Sequence, residues 1–337
     1  GIDLMFSSGE MKWEQASVPM RDPSVLLASE IDAFENEIYS MHDPETTDAA
    51  RIQSIIDVKY APQDIDAIVA ECVHLVPKER DGLHKLLTKF ESLFDGTLGE
   101  WKTEPIDLEL KDPNAKPYHA RAYPVPQSQE LKLKQEIDRL VGYGVLRKIN
   151  RSEWAAPMFT VTKPDTTLRS IADLRELNKR IRRKPFPIPK IQELLHKLKG
   201  FQYATSLDLN MGYYHIRLTP KASSYCTVVL PWGKYEYLRL PMGLCNSPDI
   251  FQEKMSELMT GLEFARAYID DLLIITTGGF MDHLDDLDKV LSRLLQAGLK
   301  VNATKSFFGR TELEYLGYWI TQNGVKPLSK KVEAITN

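Results

Sequence analysis

Two adjacent aspartates, Asp270 and Asp271, interrupt the otherwise apolar, β-branched run "ARAYIDDLLIITT" at residues 265–277. Burying one carboxylate is costly, and two touching like charges cost more. No Lys or Arg is adjacent, so a hard divalent cation with oxygen ligands, Mg²⁺ above all, is the economical neutraliser. A third acid, Asp208, lies in a second apolar segment, "TSLDLNMGYY". Three aspartates on neighbouring strands can hold two metals about 3.5–4 Å apart, the arrangement that serves in-line phosphoryl transfer. An Asp-Asp pair alone means only a polar turn. Asp208 on a second strand is what favours chemistry.

The elements that must position these acids follow from period and punctuation. Ile65, Ile68, Val69 and Cys72, then Leu83, Leu86, Leu87 and Phe90, predict two short helices. "WKTEPIDLELKDPNAKP" alternates like a strand, and a helix is expected from about Ser128 to Val141, ended by Gly142 and Gly144. "APMFTVTKPDTTLRSIADLRELN" and "CTVVLPWGKYEYLRL" read as hairpins. "PIPKIQELLHKLKGF", "NSPDIFQEKMSELMTG" with Ser247 as N-cap, and "MDHLDDLDKVLSRLLQAG" read as helices. "YATSLDLNMGYYHIRL" is a strand running into a turn at Gly212, and "EYLGYWITQNGVKP" a short hairpin. Hairpins between helices make an α+β layout, an antiparallel sheet with helices on one face.

Composition narrows the function classes. The chain has 337 residues and a net charge of −4, but residues 1–110 hold 9 Lys/Arg against 23 Asp/Glu. Residues 118–200 reverse this, with 18 Lys/Arg against 8 Asp/Glu. A basic middle segment fits a polyanion partner. No run of eighteen apolar residues speaks for a membrane. The N-terminal residues lack the pattern of a signal peptide, and Cys72, Cys226 and Cys245 lack metal or disulfide spacing, as in a reduced intracellular protein.

With "YIDD" preceded by "LDLNMGYYHIRL" and "LRLPMGLCNSPDIFQEKM", the chain resembles a reverse transcriptase of gypsy-class LTR retrotransposons. "WAAPMFTVTKPDTTLRSIADLRELNKR" resembles the fingers segment and "NATKSFFGRTELEYLGYWIT" the approach to the primer grip, so the likeness runs from about Tyr118 to Pro327. "LPMGL" has Met242 where retroviruses carry Gln, as gypsy-class elements do, and "TKPDTTLR" is one residue shorter than the retroviral spacing. The leader "GIDLMFSSGEMKWEQASVPM" resembles the stretch downstream of the aspartic protease in such polyproteins, without an Asp-Thr/Ser-Gly triplet.

The resemblance implies a right-hand polymerase with the thumb largely absent. Residues 1–60 would be an acidic protease tail and linker, 61–117 a helical linker, and 328–337 the start of the thumb or connection. Fingers would span about 118–184 and 216–246, and palm about 185–215 and 247–322. Asp208, Asp270 and Asp271 would be catalytic, holding two Mg²⁺ (or Mn²⁺) ions with the backbone carbonyl of Leu209. Lys163, Arg169, Tyr213, Met242 and Gly243 would meet the dNTP, with Tyr213 or its neighbour Tyr214 against the sugar. Leu316, Gly317 and Tyr318 would grip the primer. Lys179, Arg180, Arg182, Arg183 and Lys184 would track the template, though a nuclear-localisation reading of this run competes. The implied partners are an RNA or DNA template with primer, dNTPs, the downstream ribonuclease H region and a second copy; no membrane is expected. The implied location is a cytoplasmic virus-like particle, with the nucleus as alternative. The rival function is an inactive palm that binds nucleic acid or serves assembly, against which three unpaired acids argue.

Overall fold

The computed structural model describes residues 2–5, 10–13, 16–19, 62–162, 168–189, 194, 200–209 and 211–327. In the first of two compact units, β1 (Ile2–Met5), β2 (Glu10–Trp13) and β3 (Ala16–Pro19) pair as an antiparallel meander. Four-residue strands are too short to show a period, so the sequence reading placed only a linker there. The rest of the expected acidic segment, most of the helix from Pro187, and residues 328–337 lie outside the described residues.

The second unit begins with α1 (Ile65–Ala70), whose N-cap Asp64 accepts the Ala67 N–H, and α2 (Pro77–Lys89), with Pro in its first turn. Then come α3 (Gln127–Gly142), β4 (Leu146–Ile149), β5 (Ala156–Thr162), β6 (Leu168–Ala172) and α4 (Arg175–Arg180). β7 (Tyr203–Leu209) leads through a 3₁₀ turn, Gly212–His215, to α5 (Pro220–Tyr225), β8 (Thr227–Leu230) and β9 (Gly233–Tyr237). The last part holds α6 (Ser247–Leu258), β10 (Ala265–Tyr268), β11 (Asp271–Thr276) and α7 (Phe280–Ala297). It closes with β12 (Val301–Arg310), β13 (Glu312–Tyr315), β14 (Tyr318–Thr321) and β15 (Gly324–Pro327).

A four-stranded antiparallel sheet, β10-β11-β7-β12, forms the palm. Leu207, Leu209, Leu272 and Ile274 point from one face into the main core, with Phe251 and Met255 of α6 and Leu287, Leu291 and Leu294 of α7. Ala204 and Leu273 point the other way, into a small core with Leu313, Tyr315 and Ile320 of the β13–β15 meander. The expected terminal hairpin is thus a three-stranded sheet. The fingers carry a second sheet, β4-β9-β8-β5-β6, in which β5 and β8 are parallel and the other pairs antiparallel.

Three expectations need correction. Residues 62–117 are no linker: Leu83, Leu87, Leu93, Phe94, Trp101 and Leu108 are buried in the main core. Lys89 pairs with Asp288 of α7, and the backbone at 100–102 bonds to Ala297, Gly298 and His215. The alternation at 101–117 gives no strand, only isolated bridges from Ile106 to Leu218 and from Leu110 to Ile181. Asn246, not Ser247, caps α6; the Ser247 hydroxyl donates to the Pro241 carbonyl instead (2.7 Å).

Candidate active site

β7 and β11 pair so that Asp208 and Asp271 are direct cross-strand neighbours. The two-residue period of a strand turns Leu207, Leu209 and Leu272 toward the helices, so both acids face the side that carries the meander. Asp270 sits in the turn closing β10 onto β11. The residue before it, Ile269, has a φ of 51°, a conformation that costs a β-branched side chain about 1–3 kcal/mol.

Gln252, buried on α6, offsets that strain. Its Oε1 accepts the Ile269 N–H (2.7 Å) and its Nε2 donates to the Ala267 carbonyl (3.0 Å), clamping the turn from both sides. Sequence reasoning took α6 only as a core helix. The signal was a glutamine beside the apolar stripe of Phe251, Met255 and Leu258.

Among the described residues, the acids carry no direct counter-ion. Burial pushes Asp208 up to about 6, with Asp271 adding to the rise and Lys305 opposing it. Burial pushes Asp270 up to about 7, helped by Asp208 and Asp271 and again opposed by Lys305. Asp271 is raised by burial. Asp270 Oδ1 is buried with no hydrogen-bond partner among the described residues. It lies so close to Gly212 that a Cβ there would stand 2.5 Å from it, so any larger residue at that position would have to move the Asp270 carboxylate. Without a cation these groups bind protons more tightly than free carboxylates do.

Among the described residues, no three acidic, histidine or cysteine side chains form a ready metal cage. The donor set nevertheless fits a hard divalent cation: three neighbouring carboxylates, one oxygen orphaned, all oxygen donors of the kind Mg²⁺ prefers. Asp208, Asp270 and Asp271 would hold it. The Leu209 side chain is buried on the helix side, which leaves only its carbonyl for such a role.

Lys305 and Ser306 are further residues that sequence reading missed. β12 meets β7 at Asn302–Asp208 and again at Phe307–Ser206, so residues 303–306 bulge opposite Leu207. The Asp208 N–H, left without a ladder partner, donates to Ser306 Oγ (3.2 Å), whose hydroxyl donates to the Asn302 carbonyl (2.7 Å). The bulge carries Lys305 as the cation that acts on Asp208 and Asp270.

The residues expected at the nucleotide are distributed as follows. Tyr213 packs edge-on against Phe251 (5.3 Å), where Asp270 raises its hydroxyl further above the usual range after burial itself. Tyr214 stacks on Tyr237 instead. The pair occupies a 3₁₀ turn, so a step of about 120° separates them rather than strand alternation. His215 locks this turn: the Lys300 N–H donates to its Nε2 (3.2 Å), so Nδ1 carries the proton given to the Gly212 carbonyl (3.0 Å). Met242 is partly exposed, and Gly243 takes a φ of 85° while its carbonyl accepts from Asn178. Arg169 lies on β6 opposite Val161; Lys163 lies outside the described residues.

Leu316 and Gly317 form the two-residue turn between β13 and β14, both at positive φ, and Tyr318 opens β14. The basic run is largely engaged. Lys179 and Arg180 pair with Glu176, Arg183 with the buried Asp249, and Lys184 with Glu109. Arg182 is exposed and has no ion pair among the described residues.

Residues 161–320 match the family model described as reverse transcriptase (RNA-dependent DNA polymerase). The chain is 30% identical to the Pol polyprotein of the Drosophila melanogaster transposon 297, over 93% of this chain and 29% of that one. It is 31% identical to the Pol polyprotein of the transposon gypsy from the same organism, over 68% of this chain and 23% of that one. A solved foamy viral protease-reverse transcriptase in complex with RNA/DNA hybrid superposes with a TM-score of 0.74 at 27% identity, covering 82% of this chain and 38% of that one. The chain spans less than a third of the length of the two polyproteins. Residues 161–320 are thus similar to reverse transcriptases, the Pol polyproteins of retrotransposons among them, and the fold matches that of the foamy viral enzyme.

Proposed function

We propose that this domain is an RNA-directed DNA polymerase that adds dNTPs to a primer 3′ end on an RNA or DNA template. One observation carries the reading: three partly buried carboxylates meet at one end of the paired strands β7 and β11, close enough to raise one another, with Asp270 Oδ1 unpaired among the described residues. Two Mg²⁺ ions, or Mn²⁺ in their place, would activate the primer hydroxyl and stabilise the leaving pyrophosphate. Gln252 and Ser306 hold the carboxylate backbone in place, and Lys305 supplies a positive charge beside it. Tyr213, whose hydroxyl feels Asp270, would meet the sugar and disfavour a 2′-hydroxyl. The Leu316–Gly317 turn sits on the carboxylate side of the sheet, where it would hold the primer end.

The RNA/DNA hybrid bound by the foamy viral relative supports a primer–template partner. The ribonuclease H region downstream and a second copy of the chain belong to the same proposal. Primer extension on poly(rA)/oligo(dT) with dTTP and Mg²⁺ tests it: the chain extends, and Asp270→Asn does not. Mg²⁺-dependent binding without extension by either protein favours an inactive nucleic-acid-binding palm.

A further inference from the structure

Tyr315 ends β13 beside the Leu316–Gly317 turn and is 3% exposed. Its ring packs with Ala204, Leu273 and Ile320 in the small core on the carboxylate side of the palm sheet. Its hydroxyl is buried without a hydrogen-bond partner among the described residues. An orphaned hydroxyl is a net cost, and phenylalanine would fill the same apolar site without it. The charged group that acts most strongly on this hydroxyl is Asp271, ahead of Arg266 and Tyr268. Asp271 lies two residues from Leu273 on the same face of β11, so an unpaired donor lies on the side of the sheet and within electrostatic reach of one of the three acids.

We propose that Tyr315 is a positioning residue whose hydroxyl donates to the Asp271 carboxylate when the site takes up a divalent cation, joining the primer-grip hairpin to the metal-binding edge. This rests on the reading of the three aspartates as a metal site. A hydroxyl bonded to an ionised carboxylate makes a strong, charge-assisted bond. With one oxygen so fixed, the other is presented to the ion, as outer hydrogen bonds do at other metal centres. The turn beside it holds Leu316 at a φ of 50°, so the same tyrosine would register the grip against the acids.

The test compares the chain with Tyr315→Phe and Asp270→Asn, following Mn²⁺ binding by electron paramagnetic resonance and melting temperature with and without the ion. The expected result for Tyr315→Phe is an unchanged or higher melting temperature without metal, and Mn²⁺ affinity lower by roughly tenfold. In extension assays kcat should fall more than the KM for dTTP. A structural role for the hydroxyl would instead lower the metal-free melting temperature, and that outcome overturns the proposal. Binding lost in Asp270→Asn but unaltered in Tyr315→Phe removes this inference alone. No Mn²⁺ binding by the parent chain removes the metal reading and this inference with it.

Discussion

The palm edge and the basic run at 179–184 concentrate opposite charges and treat them in opposite ways. On the palm, Asp208, Asp270 and Asp271 are partly buried, repel one another and leave an oxygen unbonded among the described residues. In the basic run, four of the five cations are already ion-paired, and Arg183 neutralises an Asp249 that is only 1% exposed. Both stretches looked functional for the same reason, an unusual density of charge. The difference lies in what is left unsatisfied. Internal partners make a charge part of the fold, whereas their absence, at a cost the fold tolerates, marks a place for a ligand.

The sharpest way to break this contrast is Asp270→Asn. Extension should fall to background, while the metal-free protein at pH 8 gains about 2 kcal/mol, because a buried anion is removed. Thermal melts and extension assays read the two effects separately. The parent chain should show the same cost through pH. Asp270 binds its proton more tightly when folded, so its contribution to stability is full near pH 4 and is lost as pH rises through about 7. Mg²⁺ should flatten that decline. A pH profile identical in the parent chain and in Asp270→Asn would mean that Asp270 has a partner that offsets its burial.

Gln252→Leu comes next. It strips the clamp from the Ile269 turn without touching an acid and leaves the Ile269 N–H unsatisfied. The expected loss is roughly 10–100-fold in kcat, the scale set by small misplacements of reacting groups, with about 1–3 kcal/mol of stability. Unchanged kcat would show that the turn keeps its shape unaided.

Local elements were readable because their causes are local. Gly142 and Gly144 end α3, Gly298 in the left-handed conformation ends α7, and "PWGK" turns β8 into β9. Asp208, Asp270 and Asp271 were readable because acids in apolar strands conflict with their surroundings. What escaped depends on residues far apart in the chain. Lys89 meets Asp288, and the 100–102 backbone meets Gly298, so a segment without its own long elements read as a linker. Lys305 reaches the acids through a bulge visible only when β12 is laid on β7. The partners of the basic run, Glu109 and Asp249, lie outside it in sequence, so pairing could not be told from availability.

That ambiguity gives the two smaller predictions. Arg183→Ala should destabilise the chain by about 2 kcal/mol, because it leaves Asp249 buried with only the Phe186 N–H as donor. The half-exposed guanidinium keeps the loss below that of a fully buried pair, and urea unfolding measures it. Arg182→Ala should leave the urea midpoint unchanged, since this side chain is exposed and unpaired among the described residues. Its effect belongs to the template: one fewer phosphate contact reduces the slope of log K against log salt for primer–template binding by about 1. The Arg183 slope should change less, because a template phosphate would have to displace Asp249. Equal slope changes in the two variants would mean that Arg183 leaves its partner when nucleic acid arrives, and the basic run would then be a reserve of contacts rather than part of the fold.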